Sequence, residues 1–326
     1  MKRRTFIAGL GSTAAWPLAA RAQDDRVRRI GILVPAVADD PEFQARVRAF
    51  LQELAQLGWA IGGNLQIDMH GAGADPADIR RHAAQLAASG PDVILAHGGL
   101  TVRALIQETR SLPIVFTSAA DPVGEGFVES LARPGGNATG FLSFEYSFTA
   151  KWLEMLKEIA PGVTRAAVLQ APSSAGSSQF AVIQAVAPSL RIEVRPLNVA
   201  DDAAIERAIA AFARSPNGGL IVTGAAPFGA RRDLIVKLAG QHKLPAVYFD
   251  RAFVAAGGLI SYGLRYIDQY RLAAGYVDRI LRGEKPANLP VQAPTKYETV
   301  VNRKTAMVLD LTVPQSILLS ADEVIQ

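Results

Sequence analysis

The strongest constraint on this chain is a structural alternation that runs through it twice. Ile30–Val34 is a short apolar run closed by Pro35, the pattern of a buried strand. Phe43, Val47, Phe50, Leu51, Leu54 and Leu57 then recur at steps of three and four, which marks one face of a helix, and Gly58 ends it. Leu65–Met69, Val93–Ala96 and Ile114–Phe116 read as further strands, with Ile79, Ala83 and Leu86 facing inward on the helix between the first two. Strands that alternate with helices pair in parallel, because each crossover helix returns the chain to the same end of the sheet.

The plan restarts at Arg165–Leu169. A helix over 177–187, a strand at Ile192–Leu197, a helix capped by Asp201, a strand at Leu220–Thr223 and a helix from Arg231 to Gly240 follow. Leu112-Pro113-Ile114-Val115-Phe116 is echoed by Leu244-Pro245-Ala246-Val247-Tyr248, and Asp92–Ala96 by Gly219–Thr223. The spacing predicts an α/β protein of two doubly wound parallel-sheet lobes. Ligands of such sheets bind beyond the carboxyl ends of the strands. Two facing lobes therefore enclose one cleft, lined by the loops after Val34, Ala96, Phe116, Leu169, Thr223 and Phe249.

Composition narrows the function. With 49% hydrophobic and 20% charged residues among 326, the chain can bury enough surface to offset its conformational entropy, which excludes disorder. No cysteine is present, so disulfides, thiolate metal sites and cysteine nucleophiles are excluded. The net charge of +4 resides in residues 1–22, which hold Lys2, Arg3, Arg4 and Arg21 and no acid. The remaining 30 basic and 30 acidic residues balance, and a neutral body lacks the cation excess that nucleic-acid binding needs.

Residues 1–22 read as an export signal: a basic start, a mildly apolar run from Phe6 to Ala19, and Ala20-Arg21-Ala22 as a cleavage site. Arg3-Arg4-Thr5-Phe6-Ile7 is similar to the twin-arginine pattern of proteins exported already folded. The mature protein is expected in the periplasm.

Motifs for catalysis are missing. There is no G-x-x-x-x-G-K-[ST] loop and no G-x-S-x-G elbow. Gly71-Ala72-Gly73 follows the second strand rather than the first and reads as a turn, so no cofactor is expected. His70, His82, His97 and His242 lack metal-ligand spacing, and no metal or catalytic residue is assigned.

Candidate ligand-binding residues come from the cleft loops. In the first half they are Pro35, Ala36, His97, Gly98, Thr117, Ser118, Asp121 and Val123. Thr117 and Ser118 supply hydroxyls at a strand end, and Asp121-Pro122 is expected to cap a following helix whose free N–H groups suit a carboxylate. In the second half they are Ser173, Ser174, Gly224, Phe249 and Asp250. Asp250 can accept from an ammonium and Arg251 can clamp a carboxylate, with an exposed ion pair as the alternative. Phe144, Tyr146 and Tyr262 belong to an aromatic group, with Phe141, Phe148, Phe228, Phe253 and Tyr266, that can wall an apolar or aromatic ligand.

Several blocks resemble one known family. They are Asp121-Pro122-Val123-Gly124, the Ser130–Gly140 run S-L-A-R-P-G-G-N-A-T-G, the Gly257–Gly263 run G-G-L-I-S-Y-G, Tyr276–Gly283, Leu311–Pro314 and Ala321–Ile325. From about Arg29 to its end the chain is similar to ABC-transporter solute-binding proteins related to the tryptophan- and tyrosine-type binding proteins. The resemblance implies a type I periplasmic binding fold with a three-segment hinge, and crossings near Phe141–Ser143, Ser261–Gly263 and 290–295. Residues 27–141 plus 263–293 would form the N-terminal lobe, and 142–262 plus 294–326 the C-terminal lobe. It further implies a monomer that delivers its ligand to an inner-membrane ABC permease whose ATPase is a separate chain. Members take aromatic or branched amino acids, or aromatic acids, and by position the Thr117–Val123 loop would hold the acid group. The chain departs from the commoner pattern at Ala171-Pro172-Ser173-Ser174 and Gly224-Ala225-Ala226. A periplasmic sensing module and a secreted α/β enzyme are the alternative functions.

Overall fold

The structure, a computed structural model, describes residues 26–37, 40–73, 75–143, 146–170, 174–199 and 201–326. The expected export signal lies outside the described residues. The first half forms β1 (Arg28–Val34), α1 (Pro41–Gln56), β2 (Leu65–Gly71), α2 (Pro76–Ser89), β3 (Val93–His97), α3 (Gly99–Glu108), β4 (Ile114–Ala119) and β5 (Ala138–Leu142). Its five strands pair in parallel in the order β2-β1-β3-β4-β5. The order reverses between β1 and β3, so the crevice beyond their carboxyl ends is the topological switch point where such sheets take ligands.

The second half forms α4 (Ala150–Ile159), β6 (Arg165–Gln170), α5 (Ser174–Leu190), β7 (Glu193–Asn198), α6 (Asp202–Phe212), β8 (Gly218–Val222), α7 (Ala226–Ala230), α8 (Arg232–Gln241), β9 (Ala246–Tyr248), α9 (Arg251–Ala255) and β10 (Ile260–Leu264). α10 (Tyr266–Leu281) follows. β11 (Tyr297–Asn302), α11 (Arg303–Val308), α12 (Gln315–Ser320) and β12 (Glu323–Ile325) complete the chain. The second sheet has seven strands in the order β12-β11-β10-β9-β8-β6-β7.

Side-chain alternation explains why each sheet is covered twice. Ile30, Ile32 and Val34 of β1 face one way, towards Phe50 and Leu54 of α1 and Val277 of α10. Leu33 faces the other way, with Ile79 and Leu86 of α2 and Val102 of α3. In the second sheet, Val168 and Ile221 meet Trp152, Leu156 and Ile183 on one face, while Leu169 and Leu220 meet Ile205, Ile209 and Ile235 on the other.

The chain passes between the sheets three times. It leaves the first between Leu142 and Ala150, returns at Arg265 between β10 and α10, and leaves again between Gln292 and β11. Val291 and Gln292 still bond to the first sheet's side, donating to the carbonyls of Leu131 and Gly140 at 2.7 and 2.9 Å.

Three features differ from the sequence-based expectation. The middle crossing, expected at Ser261–Gly263, falls at Arg265, because β10 keeps its pairing with β11 as far as Leu264 opposite Tyr297. The second sheet is not purely parallel, since β11 runs antiparallel to β10. β11 arrives from the other lobe instead of through a covering helix, so it enters at the edge where β10 left and runs back. Lastly, no helix follows Asp121-Pro122. Residues 122–126 form turns, Gly126 takes a left-handed φ of 73°, and Phe127 and Val128 are buried directly afterwards. A helix continuing from Pro122 would carry those two side chains off the core.

Candidate functional site

The site begins with the entry into α1. Asp40 caps the helix, its Oδ1 accepting from the backbone N–H groups of Glu42 and Phe43 at 3.0 and 3.1 Å, and Pro41 occupies the first helical position. Phe43, Arg46, Val47 and Phe50 then fall on one face at three- and four-residue steps. This turns a cation, Arg46, towards the second lobe, with only 4% of its side chain exposed. Arg46 Nη2 donates to Asp250 Oδ2 at 2.7 Å. Its guanidinium carbon lies 4.7 Å from the centroid of the Phe43 ring and 4.2 Å from that of Tyr266. Burial opposes the Arg46 charge, but Asp250 and the tyrosines outweigh it and hold the guanidinium protonated more firmly than usual.

Asp250 follows β9 and caps α9, its Oδ1 accepting from the Ala252 N–H at 2.9 Å. One oxygen fixes the second lobe and the other reaches the first. A second ion pair makes the same crossing. Arg232 Nη1 at the start of α8 donates to Asp40 Oδ2 at 2.7 Å. Burial raises the Asp40 pKa, but Arg232 and the two backbone donors prevail, so the carboxyl titrates below its ordinary value.

His97 ends β3, where the register sets it beside Thr117 of β4, and its Nδ1 lies 3.0 Å from Thr117 Oγ1. Its ring meets Phe43 edge-on at 4.9 Å and Tyr266 at 5.6 Å. Burial first, and then the positive charge of Arg46, push the imidazole pKa well below its ordinary value, so His97 is neutral. Burial also raises the pKa of Tyr266 and Tyr270, which keep their phenol protons. Next to Thr117, Ser118 adopts a left-handed φ of 59°, a strained conformation for a residue with a side chain. Gln269 of α10 holds it there. Its Oε1 accepts from the Ser118 N–H at 3.2 Å, and its Nε2 donates to the Leu142 carbonyl at 2.5 Å, where the chain leaves the first lobe.

The other anticipated residues are distributed as follows. Pro35 and Ala36 are buried just beyond β1, and Ala36 accepts from the Gly73 N–H. Gly98 takes a left-handed φ of 82° and donates to the Thr117 carbonyl, which holds the ends of β3 and β4 together. Asp121 closes its own turn, Oδ1 accepting from the Gly124 N–H at 2.8 Å, and Val123 is exposed. Gly224 donates to Gln179 Oε1 at 3.1 Å. Phe249 packs against Phe253, with ring centroids 5.4 Å apart, and contributes to both cores of the second lobe. Tyr262 stacks with Tyr297 at 5.7 Å and lies 5.5 Å from Phe148, beside the crossings. Tyr146 opens a short 3-10 turn and Ser174 begins α5; Phe144 and Ser173 lie outside the described residues.

Sequence reasoning placed Asp250 in the cleft but paired it differently. Arg251 binds Glu298 and Glu323 at 3.7 and 2.8 Å, and Arg46 takes Asp250, which is buried and no surface partner. It missed Arg46, Gln269 and Tyr270, and read Phe43 only as core. The available signal was a cation on the apolar face of α1, one residue before Val47.

A cavity of about 250 Å³ opens beside the Arg46–Asp250 pair. Glu42, Arg46 and Tyr266 line it from the first lobe, and Arg251 and Glu298 from the second, with Arg265 at the crossing. A larger cavity of about 320 Å³ is lined by residues preceding β6, β8 and β9, including Val163, Asn217 and Leu244. It therefore lies at the opposite ends of those strands from the cleft. Among the described residues no group of three or more His, Asp or Glu is placed to hold a metal ion.

The family model described as ABC transporter substrate binding protein matches residues 29–325. The chain belongs to that family. A tyrosine-binding protein of Clostridioides difficile (strain R20291) is 24% identical over 294 residues, covering 88% of this chain and 83% of that one. Among solved structures, a domain from Streptococcus pneumoniae in complex with L-Trp superposes with a TM-score of 0.82 at 24% identity, covering 91% of this chain and 99% of that one. A conserved domain protein from Vibrio cholerae gives 0.83 at 27% identity, covering 92% and 100%. A ligand-free, open substrate-binding protein with adhesive properties from Clostridium difficile gives 0.68 at 24%, covering 92% and 100%. The fold is thus the two-lobed type I periplasmic binding fold, and the family is one of ABC transporter substrate-binding proteins. Family membership implies a small-molecule ligand, a permease partner and a place outside the cytoplasm. No helix of the described residues is long and apolar enough to cross a membrane.

Proposed function

We propose that this protein is the periplasmic solute-binding component of an ABC importer, which captures a small carboxylated ligand, aromatic or amino-acid-like, by hinge closure of its two lobes. The observation that carries the reading is the buried Arg46–Asp250 pair, which joins the strand-end wall of one lobe to that of the other. Charged side chains meet there from both lobes, beside the Phe43 and Tyr266 rings of the first, as a site closing around a polar, partly aromatic solute requires. The tyrosine-binding and L-Trp-bound relatives support that ligand class. The higher TM-score against the L-Trp complex, 0.82 compared with 0.68 for the open ligand-free relative, supports a closed arrangement of the lobes.

In this reading the moving bodies are the lobes anticipated from the sequence, with the middle boundary at the end of β10. Thr117 and Ser118 present hydroxyls to the ligand from the first lobe. The protein works as a monomer, is exported by its leader through the twin-arginine route, and releases its ligand unchanged to a permease powered by a separate ATPase chain. It catalyses no reaction.

A thermal-shift screen of aromatic acids and amino acids identifies the ligand, because a compound that binds only the folded state raises the melting temperature. Small-angle scattering then tests closure. The expected result is a smaller radius of gyration with the ligand, and superimposable profiles would overturn closure.

A further inference from the structure

The outer strand of the first sheet carries a side-chain cluster of its own. β2 is the edge strand, and its register sets Asp68 opposite Gly31 and His70 opposite Leu33 of β1. Leu33 packs against α2, and residues two apart on a strand share a face, so Asp68 and His70 are both turned towards that helix. His82 meets them from α2, one position before the buried Ala83. The two histidines are twelve positions apart in the chain, yet His70 Nδ1 lies 2.9 Å from His82 Nδ1, with ring centroids 5.1 Å apart. The second nitrogen of His70, Nε2, lies 3.0 Å from Asp68 Oδ1. A carboxylate accepts, which places the His70 proton on Nε2 and leaves Nδ1 as a lone pair. The Nδ1–H of His82 then fills the gap between the rings. The His70 side chain keeps 18% of its surface open to solvent.

The geometry points to a site for a divalent transition-metal ion of the copper or nickel type, held by the Nδ1 atoms of His70 and His82 at the edge of the first lobe. Two imidazole nitrogens bound to one ion at about 2.0–2.1 Å and at a right angle stand roughly 2.9 Å apart, whereas the tetrahedral angle of zinc needs roughly 3.3 Å. The observed separation matches the right angle of square-planar and octahedral sites. The two side chains have only to turn towards a common point, while β2 and α2 stay in place. The His82 proton moves from Nδ1 to Nε2, a change of tautomer that leaves the ring neutral. Asp68 then acts as the carboxylate that orients a metal-binding histidine through its other nitrogen and raises its basicity. Asp78, one turn before His82, is held by Arg81 at 2.5 Å, and among the described residues no third His, Asp or Glu joins the pair. Water completes the coordination. Nitrogen donors favour Cu2+ and Ni2+ over Mg2+ and Ca2+, which take oxygen ligands. The bound ion ties the edge strand to the helix that covers it.

The site belongs to the first lobe alone, so it stands or falls apart from solute capture. Calorimetry on the untagged protein would titrate CuCl2, NiCl2 and MgCl2. The expected result is one equivalent of Cu2+ or Ni2+ bound and no uptake of Mg2+. His70→Ala and His82→Ala should each weaken Cu2+ and Ni2+ at least tenfold, and His242→Ala should leave both unchanged. Asp68→Asn keeps both ligands and should weaken the ion about 10- to 100-fold through loss of the orienting carboxylate. Electron paramagnetic resonance of the one-equivalent Cu2+ complex should show two imidazole nitrogens in the wild type and one in His82→Ala. Melting curves would check that each variant folds; if one does not, the wild-type spectrum decides, and fewer than two nitrogens would overturn the site. Failure of the wild type to bind either Cu2+ or Ni2+, or equal affinity in His70→Ala and wild type, would overturn it as well.

Discussion

Arg46 and Asp250 lie 204 positions apart in sequence and 2.7 Å apart in space, each buried and each rooted in a different lobe. Neither can be removed alone without leaving the other's charge in a low-dielectric setting. Asp250→Ala should therefore destabilise the protein by about 3–5 kcal/mol from the stranded guanidinium, with roughly 1 kcal/mol more from the lost cap of α9. Asp250→Asn keeps an acceptor for the Ala252 N–H and should cost less. Urea unfolding of the two variants checks the order. Equal stability of Asp250→Ala and wild type would show that the pair is open in solution.

Under the proposed function Thr117 and Ser118 offer their hydroxyls to the ligand, and substitutions there test that role. Thr117→Ala combined with Ser118→Ala removes two hydroxyls from the cleft wall and should weaken ligand binding by about tenfold, the equivalent of a hydrogen bond or so. Ser118→Gly should bind more weakly too, yet it relieves a left-handed φ of 59° and should hold or slightly raise the melting temperature. Titration calorimetry beside thermal melts reads both. Unchanged affinity in the double variant would remove this loop from the site.

Glu298 gives the protein a pH signature. Burial pushes its carboxyl pKa up to about 6 from the ordinary 4.5, against the pull of Arg251 and Arg265. Between those two values the folded state binds more protons than the unfolded, so this group adds stability as pH falls from about 6 towards 4.5 and withdraws it as pH rises. Glu298→Gln should melt higher than wild type at pH 7.5, and the difference should shrink as pH falls through that window. Melting curves of both proteins across the range decide it. A constant difference would mean that Glu298 is solvated.

Two glycines stand where strands approach the crossings. A Cβ on Gly140 of β5 would strike the carbonyl oxygen of Phe116, and one on Gly263 of β10 the carbonyl oxygen of Phe249. Backbone cannot yield as a flexible side chain can, so Gly140→Ala and Gly263→Ala should each destabilise by about 2 kcal/mol or more. Gly162→Ala, with nothing within 4 Å of the new methyl, is the neutral control. Denaturant midpoints of the three variants test the contrast.

Much of the fold was legible because it follows from local rules. The buried strands Ile30–Val34 and Leu65–Met69, the inward stripe of α1 and the Asp201 cap depend on residues a few positions apart, and each is found where the pattern puts it. The site was legible only in part. That His97, Thr117 and Asp250 lie at strand ends follows from the alternation of strands and helices. That Arg46 faces Asp250 does not, because a helix face shows which residues point inward and not what they meet.

The amino-acid sequence alone determined two α/β lobes, their strand-end loops and the absence of nucleotide and acyl-transfer motifs, since periodicity and spacing are local properties of the chain. The tertiary structure decided the reversed β11, the return of the chain at Arg265, the helix lost after Asp121 and the pairing of Arg46 with Asp250. Each of these depends on where a distant segment comes to rest, and that is fixed by the packing of whole sheets and helices against one another.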